Sequence, residues 1–182
     1  MILAIYNPDW AAEFEALRDV YTSALGKLIV RVEHVGSTAV PNLMAKPILD
    51  IDIVMPSYEV FPEIVAHLAR LGYAHNGDQG IRGREVFRPI DETAPFTLRP
   101  QKWMSHHLYV CPADSLELRR HVAFRDALRA HDDLRQEYEK RKLEIAERSG
   151  GDRKVYARIK ETACRDFVDA VLAANSVWSD GR

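Results

Sequence analysis

The stretch HVGSTAVPNLMAKPILDID, residues 34–52, constrains this chain more than any other. Within and just beyond it, Ile48 to Met55 reads as the strongest strand: branched apolar residues alternate with Asp50 and Asp52, and Pro56 with Ser57 stops the run. Strand side chains alternate faces, so Leu49, Ile51 and Ile53 point one way and both aspartates the other. A sheet with a core under one face and polar chemistry on the other satisfies that pattern.

The segments on either side predict what covers the apolar face. Trp10, Phe14, Leu17, Val20 and Tyr21 recur on one face of a helix from about Trp10 to Leu25, with Asp9 as its cap. Lys27 to Val35 reads as a strand ending at Gly36, and Tyr58 to Leu71 as a helix closed by Gly72. From Tyr73 to Pro100 the Gly, Pro and Arg content predicts loops around short strands near GREVFRPI and PFTLRP. His106 to Cys111 is another strand, and Asp114 a natural cap for a helix after it. Helices then run over Leu116–His131, Asp133–Arg148 and Val155–Ala174, broken at HDD and SGGD. The expectation is an α/β (α+β) fold: one domain over residues 1–182, with a small mixed sheet flanked by helices and a mainly helical region from about 113 to 176.

Charge narrows the functions. Lys and Arg total 25 against 27 Asp and Glu, a net charge of −2, so no cationic excess exists to hold a long nucleic acid. No apolar run approaches membrane-spanning length, and the opening MILAIYNPDW lacks a signal peptide's basic start and apolar core. The expected address is cytoplasmic. Cys111 and Cys164 lie far apart and outside any paired pattern, so they read as reduced thiols. No Ser-His-Asp order, GxSxG elbow, P-loop or dinucleotide fingerprint is present.

Two carboxylates held on one strand face repel unless a cation sits between them, and hard oxygens of this kind suit Mg²⁺ or Mn²⁺. Taken alone, Asp50 and Asp52 would equally suit the solvated face of an amphipathic strand. The turn ahead of them, Gly36, Ser37 and Thr38, selects the metal-nucleotide reading: glycine permits close approach, and the Ser37 hydroxyl and nearby amides can donate to phosphate oxygens. Lys46 adds a positive charge. Arg84, Arg125 and Lys160 are further anion-binding candidates, each with an internal salt bridge as its alternative. His34 either fixes the turn or touches phosphate. His106 and His107 point to opposite strand faces, which disfavours a shared zinc site. His121 and His131 carry no independent signal.

A Gly-Ser turn, a short spacer and a strand bearing Asp-x-Asp resemble the signature of polymerase-beta-type nucleotidyltransferases. HVGSTAVPNLMAKPILDI is more specifically similar to the HxGSTAVPGLxAKPxxDI signature of the GrpB family, with Asn42 at the usual Gly. GIRGR, HHLYV, RRHVAFRDALRAH and YARIK follow in that family's order, with Tyr109 where a further His is usual and with Pro89–Ser105 longer than the family pattern. The resemblance implies the nucleotidyltransferase superfold and a metal-dependent site in which Asp50 and Asp52 hold the cation. Its ligands would be a nucleoside triphosphate and an unknown small acceptor. It also implies another carboxylate from a neighbouring strand. Glu85 is nearest in sequence, and His107, on the same strand face as Tyr109, is the alternative ligand. Without that acid, a non-catalytic nucleotide-binding or interaction module of the same fold is the competing expectation.

Overall fold

Alternation along one strand organises the molecule, as a computed structural model describing residues 2–174 shows. That strand, β2 (Leu49–Met55), is central in a five-stranded mixed sheet with β1 (Arg31–Val35), β3 (Tyr73–His75), β4 (Glu85–Pro89) and β5 (His106–Pro112). The order is β1-β2-β5-β4-β3, and β2 and β5 run parallel while every other pair is antiparallel. Leu49, Ile51, Ile53 and Met55 are fully buried on one face, packed with Leu108 and Val110 of β5 beneath α1 (Asp9–Leu25) and α2 (Phe61–Arg70). Trp10, Phe14, Leu17, Tyr21 and Leu25 supply the helical side of this core at the predicted spacing.

The C-terminal helices build a second core. In α3 (Leu116–Ala130), α4 (Asp132–Arg148), α5 (Arg153–Ala163) and the junction before α6 (Arg165–Ala174), Leu128, Tyr138, Ile145, Tyr156 and Cys164 pack with Ile2, Leu3, Val40 and Leu43. The N-terminal residues and the turn before β2 are thereby clamped between sheet and helices.

Several local expectations are corrected. Asp9 is the first helical residue of α1 and its amide bonds to Asn7 Oδ1, while Ser115, not Asp114, caps α3 by accepting from Leu118 N–H. The strand expected from Lys27 starts at Arg31, because Gly26 takes φ +50° and Gly26–Leu28 closes as a 3₁₀ turn. PFTLRP forms no strand: Pro95 and Pro100 lack the N–H a ladder needs, and Phe96 N–H bonds instead to Leu71 at the end of α2. The long helix expected over Val155–Ala174 bends at the buried Cys164 into α5 and α6. Asn42 adopts φ +61°, a left-handed conformation that glycine occupies freely and asparagine tolerates better than most residues.

Candidate functional site

The polar face of the sheet is where α3 meets it. Glu117, His121 and Arg125 recur every fourth residue, so they share one face of the helix. Glu33 of β1 is directly opposite Asp52 of β2, and Tyr109 of β5 lies on its other side. The two sets interlock. His121 Nδ1 lies 2.8 Å from Asp52 Oδ2 and its Nε2 lies 3.3 Å from Glu117 Oε1. Burial opposes a charge on His121, but the bonds to Asp52 and Glu117 outweigh it and lift its pKa to about 10, so both ring nitrogens donate. Asp52 is 0% exposed, and burial pushes its carboxyl above the usual range despite the His121 bond. Its Oδ1 has no hydrogen-bond partner.

Asp50 sits one turn of the pleat nearer the opening. Its side chain is 32% exposed, and His107 Nδ1 lies 2.9 Å from its Oδ1. Burial works against ionisation of Asp50, yet the His107 bond and the charges of Lys160 and His121 hold its carboxyl below the ordinary value. Gly36, at φ +71°, lies against this carboxylate: a Cβ there would fall 2.2 Å from Asp50 Oδ2. The turn is fixed from behind by His34, which stacks on Phe14 at 4.7 Å between ring centres. Burial lowers the His34 pKa to about 4, so the ring is neutral; Thr38 Oγ1 donates to the Ile48 carbonyl and accepts from His34 Nε2 at 3.0 Å.

Asp50, His107 and the turn at Ser37 and Thr38 open onto a cavity of about 770 Å³ between sheet and C-terminal helices, while Asp52 lies outside its lining. Ser37, Thr38, Lys46, Asp50 and His107 line its sheet side; Arg120, Lys142, Tyr156 and Lys160 line its helical side. Lys46 Nζ sits 4.3 Å from the centre of the Tyr156 ring and 3.4 Å from the Arg153 carbonyl. The cavity thus joins the carboxylates of Asp50, Glu117 and Glu161 to the side chains of Lys46, Arg120, Lys160 and Arg165.

The cleft brings together Gly36, Ser37, Thr38, Lys46, Asp50, His107 and Lys160. Other candidates lie elsewhere. Arg125, 8% exposed, is held by Glu33 at 2.7 Å, Asp126 at 2.8 Å and the His34 carbonyl at 2.9 Å. Its guanidinium is engaged by the protein, as the salt-bridge alternative has it, and it does not line the cavity. Arg84 stacks on Tyr109, 4.9 Å from the ring centre, with its Nε buried and unpartnered. Glu85 bonds Tyr58 at 3.0 Å and His75 at 2.7 Å, and its register with Val110 sets it on the opposite face from Tyr109, so it supplies no third acid. His106 faces the core, within 2.6 Å of the Tyr73 hydroxyl.

Sequence reasoning missed His121 and Lys142. The i, i+4 spacing of Glu117 and His121 was a usable signal; a lysine inside a charge-rich helix was not.

Whether this donor set suits a divalent cation turns on Asp52. No group of three or more His, Cys, Asp or Glu able to hold a metal occurs among the described residues. Mg²⁺, however, is commonly bound through one or two carboxylates plus phosphate oxygens and water. Asp50 and the unpartnered Oδ1 of Asp52 fit that smaller demand.

The family model described as GrpB protein matches residues 1–170. UPF0157 protein YqkA of Bacillus subtilis is 31% identical over 144 residues, covering 79% of this chain and 39% of that protein. Glutamate-rich protein GrpB of Alkalihalophilus pseudofirmus is 29% identical over 173 residues, 94% of each chain. The crystal structure of conserved protein GrpB from Enterococcus faecalis superposes with a TM-score of 0.77 at 28% identity, covering 96% of this chain and 99% of that one. This chain therefore spans 39% of the length of YqkA but nearly all of the two proteins named GrpB. With the family model matching residues 1–170 and the fold agreeing throughout, the chain belongs to the GrpB family.

Proposed function

We propose that this protein binds a nucleoside triphosphate with Mg²⁺ or Mn²⁺ in the cleft beside Gly36 and Ser37, and transfers its nucleotidyl group to a small acceptor. The observation that carries the reading is the shared lining of one cavity: the ionised Asp50 with its His107 partner, Ser37 and Lys46 on the sheet side, and Lys160 on the helical side. Asp50 and Asp52 would hold the cation, which would neutralise polyphosphate charge. Ser37 and the turn amides cradle phosphate oxygens, and Gly36 lets them approach the backbone. Lys46 and Lys160 offset the remaining charge, and His107 orients Asp50. The acceptor hydroxyl forms a bond to the α-phosphorus as the bond to the pyrophosphate oxygen breaks, and its proton leaves to solvent. A small acceptor suits a cleft of about 770 Å³ and a net charge of −2 better than a long nucleic acid does.

One observation favours a second reading, a nucleotide-binding module without turnover: Asp52 is sealed from solvent by a charged His121. Thermal melting with a panel of nucleoside triphosphates, with and without Mg²⁺, tests binding, since a ligand of the native state raises the melting temperature by mass action. Asp50→Asn should abolish the metal-dependent rise. Identical responses from both proteins sink the carboxylate site, and binding without pyrophosphate release in the presence of candidate acceptors selects the second reading.

A further inference from the structure

The helical wall of the cavity carries a cation that the proposed transfer does not use. Lys142, on α4, lines the cavity and yet is 1% exposed. Lysine is almost never buried so fully unless its charge is paired. Its ammonium donates to the Met44 carbonyl, which satisfies one of three N–H bonds, and Nζ lies 5.2 Å from the centre of the Tyr138 ring. The groups facing it are Glu139 on its own helix, Lys160 on α5 and the Cys164 thiol between α5 and α6. Glu139 is already engaged, its Oε2 accepting from Met44 N–H at 2.8 Å, and Lys160 repels. The ammonium is short of negative charge, beside a cavity large enough to supply it.

We propose that Lys142 is an anion ligand of the cleft, closing with Lys46 and Lys160 a pocket for the terminal phosphates of the bound nucleotide. The assignment rests on the nucleotide reading and adds the place where the polyphosphate ends. Burial, then the charge of Lys160, pulls the Lys142 pKa down to about 7, so at pH 8 most empty sites hold a neutral amine. A phosphate against Nζ reverses that balance, and filling the pocket draws a proton from solution.

The probe is inorganic tripolyphosphate, without metal, titrated calorimetrically at pH 8 in buffers of low and high ionisation enthalpy. The wild-type chain should bind it with net proton uptake, up to about one per site. Lys142→Met should bind on the order of tenfold more weakly and take up no proton. Lys142→Arg, charged at any working pH, should restore binding and still take up none. Melting temperatures report whether the Met variant folds; if it does not, the Arg variant decides. The proposal is overturned if wild type fails to bind tripolyphosphate, if Lys142→Met binds like wild type, or if Lys142→Arg takes up the same proton. Asp50→Asn should keep tripolyphosphate binding. A wild-type chain that binds tripolyphosphate but shows no Mg²⁺-dependent nucleotide response would count against the carboxylate site and leave this pocket standing.

Discussion

His107 Nδ1 lies 2.9 Å from Asp50 Oδ1 because the parallel register of β2 and β5 sets the two residues directly opposite each other. The His107 side chain is 56% exposed, and an exposed pair of this kind contributes only about 0–1 kcal/mol to stability. In the proposed site its role is to orient the carboxylate. His107→Ala should leave the melting temperature within about 3 °C of wild type and diminish the metal-dependent nucleotide response. His106→Ala should do the reverse. That ring bonds Tyr73 at 2.6 Å and the Met104 carbonyl at 2.8 Å inside the core, and its loss should cost about 2–4 kcal/mol with affinity retained. Equal loss of ligand response in both variants would refute the division of faces.

Gly36→Ala tests the turn. The backbone there, φ +71° and ψ −170°, belongs to a region that essentially only glycine occupies, and forcing another residue into it costs about 1–3 kcal/mol. The added Cβ would also displace the Asp50 carboxylate, 2.2 Å away. Urea unfolding should show that destabilisation, and metal-dependent nucleotide binding should disappear in the folded variant. Removing the carboxylate as well, in Gly36→Ala/Asp50→Gly, should restore part of the lost stability, so that the two changes are not additive. Undiminished nucleotide affinity in folded Gly36→Ala would remove the turn from the site.

Much of this was legible in the residues. Alternation in β2 set Asp50 and Asp52 on one face and the core on the other, and α1 was readable from its apolar spacing. What could not be read was partnership across the sequence. Asp50 and Asp52 look equivalent in a DID triplet, yet one opens on the cleft and the other lies under α3 against His121, 69 residues away. Arg125 looked as able to hold phosphate as Lys160 until Glu33, 92 residues distant, was seen to occupy it. The bend at Cys164 also lacked a signal, since no Gly or Pro marks ETACRD. It is set by packing between helices rather than by local preference.

Arg125→Ala should therefore behave as a structural lesion. Its guanidinium sits between Glu33 and Asp126 with the His34 carbonyl as a further acceptor, and truncation leaves Arg31, 2.7 Å from Glu33 Oε1, as the remaining cation holding that carboxyl below the usual range against burial. Breaking a buried pair from one side costs roughly 3–5 kcal/mol, and this pair, with Glu33 partly exposed, belongs at or below the lower end. Chemical denaturation should report that loss, with nucleotide affinity in the folded fraction changing less than about threefold. A large affinity loss without destabilisation would return Arg125 to the ligand site.

The His121–Asp52 pair sets a pH dependence with a definite direction. Folded, His121 keeps its charge to about pH 10; unfolded, it loses it near 6.5. The stability it contributes is therefore complete below about pH 6.5 and declines as pH rises from there through 10. Lys142 runs the other way: its folded pKa of about 7 lies below the unfolded lysine value, so its burial becomes less costly as pH rises over the same range. The wild-type profile is the sum of these opposing slopes and does not isolate either. The difference between wild type and His121→Gln does, because glutamine can still donate to Asp52 but cannot titrate. Between pH 7 and pH 10 the wild-type melting temperature should fall by on the order of 5 °C more than that of the variant. Parallel profiles would mean that His121 is not charged in the folded protein, and Asp52 would then be bound by a neutral ring and open to displacement by a cation.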